Sequence, residues 1–335
     1  MPREHHEHSL NHARAYAGGH KKALLIGINY TGTAHALKGC IADVQHMKEF
    51  LVAHRGYHDT PESLVFMADD APLEHHRPTH RNLVAAFQWL VVGNTEGDSL
   101  FLHYSGHGAQ MAAKADTSRD RKQDCIVPLD YESTGCIEAD FLHRALVHAL
   151  PVGVKLTVVF DCCHSGTMLE LPYTYRPTDE QPMAPKKKPS DLLADVESIL
   201  HRGFTPIDIH VLLEDVAGLS ALFPHRDDVV ANGGVDSLGY KHEHFAGDID
   251  PTEKSVVVIS GCEDDQTSAD TVVQGYGNTG ALSYAIVSKL KADGGRVNYE
   301  SLLAHARQFM IDNKLTQIPQ LSCGMEVDPT GSFEF

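Results

Sequence analysis

Short runs of apolar residues recur along the chain, and polar or turn-forming residues bound them. The runs are rich in Val, Ile, Leu and Phe, and most are followed at once by Gly, Asn, Cys or Ser. Near-continuous apolar runs of this length are typical of strands covered on both faces, as in a parallel sheet. The predicted strands are Ala23–Ile28, Ser63–Met67, Ser99–Tyr104, Leu156–Phe160 and Ser255–Ser260.

Between these runs, apolar residues are spaced as on one face of a helix. The first such segment carries Ile41, Val44, Met47, Phe50 and Leu51. Thr79 precedes a second segment and is a candidate N-cap. The other predicted helices are Asp140–Leu150, Thr279–Leu290 and Asn298–Met310. Strands that alternate with helices predict an α/β fold with a mainly parallel sheet.

The alternation breaks between about residues 171 and 253. Residues 172–190 contain five prolines and a run of three lysines, which predicts a loop or linker. Residues 224–251 are rich in Asp, His and Gly and also indicate a loop. An irregular insertion of this length inside a compact domain is usually functional or mobile.

The chain is acidic, with a formal net charge of −17 when its 23 histidines are neutral. Because phosphate contacts need a basic surface, we expect no nucleic-acid partner. A cationic substrate suits this charge better, although global charge says little about any one site. No apolar run is long enough to span a bilayer, and the polar N-terminus lacks a signal-peptide core. We therefore expect a cytoplasmic protein with no membrane partner.

Reactive side chains follow two of the predicted strands. His107 lies in SLFLHYSGHGAQ, residues 99–110, and Cys163 lies in LTVVFDCCHSGTM, residues 156–168. Ligand sites of open parallel sheets lie beyond the carboxyl ends of the strands, so these two side chains can meet there. A cysteine beside an imidazole meets the needs of a thiolate nucleophile and its base. The N–H groups of Gly108 and Cys163 are candidates for an oxyanion hole.

The same residues allow other interpretations. The candidate metal ligands are His103, His107, Cys162, Cys163 and His164. Adjacent cysteines on an extended chain point apart, which is poor geometry for chelation. A vicinal Cys162–Cys163 disulfide would be strained. The seven cysteines are odd in number and show no repeated CxxC spacing, so neither a disulfide framework nor a zinc ribbon is indicated. A metal-buffering role for the histidines and a catalytically silent scaffold stay open.

At these residues the sequence resembles the metacaspases, within the caspase-like cysteine peptidases. The matching segments are KALLIGINY (22–30), LKGCIADVQ (37–45), HYSGHG (103–108), IVPLDY (126–131), DCCHSG (161–166), SVVVISGCEDDQTSAD (255–270) and GALSYAI (280–286). The resemblance implies a caspase-like sandwich with a central, mainly parallel sheet flanked by helices on both faces. It also implies four regions: a His-rich segment 1–20, a large-subunit region 21–170, a linker 171–253 and a small-subunit region 254–335.

The resemblance assigns Cys163 as nucleophile and His107 as base of an endopeptidase that cuts after Arg or Lys. It places Cys40, Asp43, Ser105 and Asp161 around the pocket for the cationic side chain. Two carboxylates facing one guanidinium give charge-assisted hydrogen bonds, which supports this placement physically. The alternatives are a solvated acid near a helix N-terminus for Asp43 and a strand-end turn residue for Asp161.

The resemblance further implies activation by calcium, a cation that binds several carboxylate oxygens. The corresponding stretches offer Asp124, Asp140 and Glu170, with Asp120 nearby. Gln123 and Ala139 stand where the family usually has Asp, and Glu170 replaces a usual Asp. The alternative is that these are ordinary surface acids.

The lysine run Lys186, Lys187 and Lys188 is a candidate site of self-cleavage, because an enzyme selective for Lys or Arg would cut an exposed basic loop. A solvated basic linker is the equally weighted alternative. The substrates implied are proteins or peptides with Arg or Lys at the cleavage site, and the resemblance favours a monomer.

Overall fold

The structure is a computed structural model that describes residues 19–112, 122–162, 165, 168–176, 184–185, 254–261, 270–273, 277–325 and 327–335. Within these residues, no helix is both long and apolar enough to cross a bilayer.

The strands of the described residues are, in chain order, β1 (Lys21–Gly27), β2 (Leu64–Ala68), β3 (Ser99–Ser105), β4 (Gly108–Ala112), β5 (Lys122–Ile126), β6 (Ile137–Glu138), β7 (Lys155–Asp161), β8 (Tyr173–Arg176), β9 (Ala184–Pro185), β10 (Val256–Ser260), β11 (Asp270–Val273), β12 (Gly277–Gly280) and β13 (Gln320–Cys323). Eight of them form one sheet in this part of the chain, in the order β2-β1-β3-β7-β10-β13-β8-β9. From β2 to β10 every neighbouring pair is parallel. From β10 to β9 every pair is antiparallel. The prediction of a mainly parallel sheet is therefore confirmed.

Helices cover both faces of this sheet. They are α1 (Cys40–His54), α2 (His80–Val91), α3 (Tyr131–Thr134), α4 (Ala139–Leu142), α5 (Ala281–Ala292) and α6 (Tyr299–Asp312), and a π-helical stretch His143–His148 continues α4. The side chains of β1 alternate between the two layers of helices. Leu24 and Ile26 pack with α2 and the 139–148 helix, whereas Ala23 and Leu25 pack with α1, α5 and α6. Covering on both faces explains why the central strands are apolar almost without interruption.

Smaller sheets lie beyond the central one in the described residues. Strands β4, β5 and β6 form an antiparallel sheet of three, and β11 pairs with β12. Strand β4 begins at Gly108, directly after His107, so the three-stranded sheet continues the chain from the end of β3. The predicted alternation of strands and helices did not anticipate either of these sheets.

The five predicted strands and five predicted helices are all present, with bounds that differ by at most three residues. Thr79 caps α2 as expected, since its Oγ1 accepts a hydrogen bond from the N–H of Asn82 at 3.4 Å. Asn298 caps α6 in the same way. The prediction of a loop across residues 172–190 is wrong at Tyr173–Arg176 and at Ala184–Pro185, which form β8 and β9. There β8 joins the sheet beside β13, because Tyr175 packs into the core and its backbone pairs with Leu321.

Helix α1 is anchored beyond its C-terminus. The guanidinium of Arg55 donates to the carbonyl of Phe333 at 3.2 Å and lies 4.4 Å from the ring centre of Phe335. The ammonium of Lys21 donates to the carbonyls of Arg55 and Phe335 at 2.8 and 3.1 Å. These contacts fix the end of α1 opposite to Cys40 and Asp43, and they help to hold those two residues in place.

Candidate active site

The carboxyl ends of β3 and β7 lie side by side. Ser105 is the register partner of Asp161, and the N–H of Gly106 donates to the Asp161 carbonyl at 3.4 Å. His107 follows β3 by two residues, and Cys163 would follow Asp161 by two. Cys163 and His164 lie outside the described residues. The sheet therefore brings together the two chain segments that carry the predicted nucleophile and base.

The last described residue before the predicted nucleophile is Cys162, which is fully buried in the core on the α2 face of the sheet. Asp161 faces the opposite layer, where α1 and α5 lie. Adjacent side chains on an extended chain point to opposite faces, which explains why Cys162 and Asp161 face different layers. Because the Cys162 sulfur lies in the core, it is not placed to attack a substrate.

His107 is held by its backbone and by its ring. Its N–H donates to the hydroxyl of Tyr30 at 3.1 Å, and its carbonyl accepts from the hydroxyl of Tyr104 at 2.7 Å. Its ring Nε2 lies 2.7 Å from the carbonyl oxygen of His35, and its ring centre is 4.6 Å from that of Tyr30. A carbonyl oxygen only accepts hydrogen bonds, so Nε2 carries a proton. In the neutral ring, Nδ1 is then the basic nitrogen.

Tyr30 and His35 were not among the predicted site residues. Tyr30 ends the quoted segment KALLIGINY, is fully buried, and has a left-handed backbone with φ of 50°. Its hydroxyl donates to the carbonyl of Val127 at 2.6 Å. Burial raises the pKa of this hydroxyl above its usual value, so Tyr30 is a neutral donor. His35 contributes a backbone carbonyl, which a residue pattern does not mark.

Asp43 lies in the first turn of α1 and is 1% exposed. Its Oδ1 accepts from the hydroxyl of Thr279 at 2.5 Å and from the N–H of Gly280 at 3.0 Å. Its Oδ2 accepts from the hydroxyl of Ser105 at 2.8 Å and from the same N–H at 2.9 Å. Cys40, at the first position of α1, is also buried. The interpretation of Asp43 as a solvated acid is wrong, because it is buried and bonded to the small-subunit region.

Asp161 is 4% exposed, and its Oδ2 accepts from the N–H of Ser283 at 2.8 Å. Both carboxylates thus receive hydrogen bonds from the N-terminal end of α5, which begins immediately after Gly280. A helix N-terminus has unpaired N–H groups and a partial positive charge, so it favours acidic groups. Asp43 on α1 and Asp161 on β7 therefore together cap α5, which follows them by more than a hundred residues in the chain.

The two carboxylates are close to one another. A methyl group placed on Gly280 would lie 2.2 Å from Oδ2 of Asp161 and 2.9 Å from Oδ2 of Asp43. Burial, and then repulsion by Asp161, raise the pKa of Asp43 to about 8, although its hydrogen bonds with Thr279, Gly280 and Ser105 act in the opposite direction. Burial and the neighbouring carboxylate therefore both favour the protonated form of Asp43.

His103 lies on β3, two residues before Ser105, and is fully buried. Its Nε2 is 2.9 Å from Oγ of Ser283. Burial lowers its pKa to about 3, so its ring is neutral. Within the described residues, no three His, Cys, Asp or Glu side chains gather as a metal site. His103 therefore supports the end of α5, and the described residues give no support to a metal site or to a metal-buffering role.

The predicted calcium ligands are only partly described. Asp124 is buried on β5 and accepts from Nε2 of Gln110 at 3.1 Å. Asp140 lies on α4, which packs against β5, and Glu170 has a left-handed backbone with φ of 46°. Asp120 lies outside the described residues, as do Lys186, Lys187 and Lys188. The described acids do not by themselves assemble a cation site.

Comparison with known proteins agrees with this architecture and with the sequence motifs. The family model described as metacaspase, peptidase C14 domain, matches residues 21–172. Metacaspase-1 of Mycosarcoma maydis is 38% identical over 311 residues, which are 92% of this chain and 72% of that protein. Metacaspase-1 of Schizosaccharomyces pombe is 37% identical over 92% of this chain and 68% of that protein. Metacaspase-1 of Candida albicans is 34% identical over 98% of this chain and 70% of that protein.

A crystal structure of a protein from Geobacter sulfurreducens superimposes with a TM-score of 0.54 and covers 92% of this chain and 95% of that one, at 20% identity. This likeness concerns the fold alone. The α/β architecture is the caspase-like sandwich, with its mostly parallel sheet between two layers of helices. The extent of the sequence matches shows that the chain belongs to the metacaspase family of cysteine peptidases.

We expect Gly280→Ala to destabilise the protein, because its new Cβ would overlap the Asp161 carboxylate. Overpacking of this kind costs about 1–3 kcal/mol, to be measured as a loss in the free energy of unfolding in urea. Gly261→Ala is the matched control, since its Cβ would come no closer than 3.3 Å to a neighbour, the side chain of Leu282. Equal losses for both variants would show that the carboxylates do not hold α5.

Proposed function

We propose that the protein is an endopeptidase that cuts after Arg or Lys, with Cys163 as nucleophile and His107 as base. The observation that carries the proposal is the buried carboxylate pair Asp43 and Asp161 at the sheet edge from which His107 emerges. Asp161 precedes the nucleophile by two residues, so the pocket for the cationic side chain adjoins the reacting sulfur. The proposed pocket also includes Ser105, which donates a hydrogen bond to Asp43, and Cys40, which is buried three residues before Asp43 on α1.

The hydrogen bond from Nε2 to His35 leaves Nδ1 of His107 to take the proton of the Cys163 thiol. The thiolate attacks the substrate carbonyl, and the N–H groups of Gly108 and Cys163 stabilise the oxyanion. The protonated ring then gives its proton to the leaving amine, and an acyl-enzyme remains. Water, deprotonated by the same ring, releases the acyl group. The His35 carbonyl orients the ring in each of these steps. The sequence did not indicate this contact.

Cys163→Ala should lower the turnover of Arg-ended and Lys-ended peptide reporters on the order of a thousandfold or more, since it removes the attacking atom. We also propose self-cleavage at Lys186, Lys187 or Lys188, and the same variant should keep this linker intact by mass spectrometry. Cys136→Ser is the control and should retain turnover, because Cys136 is a partly exposed cysteine that follows neither β3 nor β7. Unchanged turnover in Cys163→Ala would refute the assignment.

A catalytically silent scaffold would instead leave wild-type Cys163 unlabelled by a thiol-directed Arg peptide.

Selectivity for a cation should depend on pH through Asp43. In the free protein this group is protonated below its raised pKa of about 8, and a guanidinium favours its charged form. The ratio of kcat/KM for an Arg substrate to that for its neutral citrulline analogue should therefore rise with pH, by at most about tenfold per unit, and level off above 8. The ratio removes the titration of Cys163 and His107, which both substrates share. In Asp43→Asn the ratio should be low and flat. A flat ratio in the wild type would contradict the model.

We further propose that calcium activates the enzyme and is held by Asp124, Asp140 and Glu170 together with Asp120. Support comes from the neighbouring positions of β5 and α4, which carry Asp124 and Asp140. Since the described acids do not form a complete site, no step of the mechanism is assigned to the ion. When bound, it would supply charge that orders the surrounding loops.

Asp124→Asn should weaken calcium binding about tenfold or more, measured by calorimetric titration of the Cys163→Ala protein, because a carboxylate ligand is lost. Glu132→Gln is the control, since Glu132 is an exposed acid on α3. Equal calcium affinity in the two variants would remove Asp124 from the site.

A further inference from the structure

Two cysteines of the three-stranded sheet are in contact. Cys125 lies on β5, and Cys136 immediately precedes β6. The register pairs Cys125 with Glu138, so Cys136 is its diagonal neighbour on the same face of the ladder. The neighbouring Cys136 side chain raises the pKa of the Cys125 thiol, and neither cysteine is in a disulfide. Neither residue has a part in the proposed peptidase reaction.

The two thiols differ in their access to solvent. Cys125 is fully buried, and its Sγ–H donates to the carbonyl of Ala109 at 3.3 Å. Cys136 is partly exposed and packs at the edge of the core. An accessible thiol beside a buried one is the arrangement in which the first reacts with an oxidant and the second resolves the product. Cys40, Cys162 and Cys323 are each exposed by 3% or less, so an oxidant reaches them less readily than Cys136.

The position of Cys136 beside the β5–β6 ladder bears on how the two sulfurs could join. Cys136 lies outside the ladder hydrogen bonds of β6, whose register begins at Ile137. The segment between α3 and β6 includes Gly135, whose φ of 82° is a conformation that favours glycine. The chain around Cys136 can therefore shift toward Cys125 without breaking the β5–β6 pair.

We propose that Cys125 and Cys136 form a reversible disulfide when the protein meets hydrogen peroxide. The thiolate of Cys136 attacks one peroxide oxygen and becomes a sulfenic acid, and the other oxygen leaves as water once protonated. The thiol of Cys125 then displaces the sulfenic hydroxyl as a second water, which forms the S–S bond. In sum, two thiols lose two hydrogens and two electrons, and one peroxide becomes two waters. A dithiol reductant reverses the step by thiol–disulfide exchange.

The disulfide would reach the candidate active site through β4. Ala109 is two residues from His107 and is the register partner of Cys125. Once Cys125 is oxidised, its sulfur has no proton to donate to the Ala109 carbonyl. Oxidation therefore removes a contact between β5 and the strand that follows His107. The modification site itself does not depend on the proposed peptidase reaction.

The test is peptide mapping of the full-length wild-type protein after treatment with hydrogen peroxide and alkylation of the remaining thiols. We expect a cross-linked pair of peptides that contain Cys125 and Cys136, about two fewer alkylated thiols per chain, and reversal by dithiothreitol. The same pair should form in Cys163→Ala, in which the predicted nucleophile cannot take part.

In Cys136→Ser the cross-link should be absent and Cys125 should be fully alkylated after denaturation, whereas Cys323→Ser should retain the cross-link. Circular dichroism of each variant establishes that it is folded. Full alkylation of both cysteines in oxidised wild-type protein would overturn the proposal, and so would a bond from Cys136 to any other cysteine.

Discussion

The structure depends most on two buried carboxylates that accept hydrogen bonds from the start of one helix. Asp43 and Asp161 come from α1 and β7, and they bind the N–H groups of Gly280 and Ser283 at the N-terminus of α5. This set of bonds joins chain segments that are more than a hundred residues apart. It also places two acids at the sheet edge from which His107 emerges. The docking of the small-subunit region and the chemistry of the proposed pocket thus share the same atoms.

The energetics of this pair support the proposal that it binds a cation. Burying a carboxylate costs several kcal/mol unless it is paired, and a second carboxylate nearby adds repulsion. The hydrogen bonds to Asp43 reduce this cost but do not cancel it, since its pKa is still raised to about 8. An arginine side chain would supply the missing counter-charge and displace the proton. Part of the unfavourable energy of the free site would therefore be recovered when a basic residue binds.

The sequence predicted the features that depend on local pattern. Continuous apolar runs located the parallel strands, and Thr79 located the start of α2. Contacts made across the chain were not predictable in this way. The bonds from Gly280 to Asp43 span 237 positions, and the ring of the proposed base, His107, contacts a backbone carbonyl that any residue at position 35 would offer. Strands β8 and β13 are short and pair with each other, so their register depends on tertiary contact more than on their own periodicity.

The sheet order bears on what a cut in the linker would do. Strand β10, which follows the linker, pairs with β7, which precedes it, and β13 lies on its other side. Helix α5 is held on the same layer as α1 by the carboxylate cap. These hydrogen bonds join described residues outside 186–253, so a cut in that stretch would break none of them. We therefore expect a chain cleaved there to keep β7, β10 and α5 together, with Asp43 and Asp161 still bonded to the start of α5.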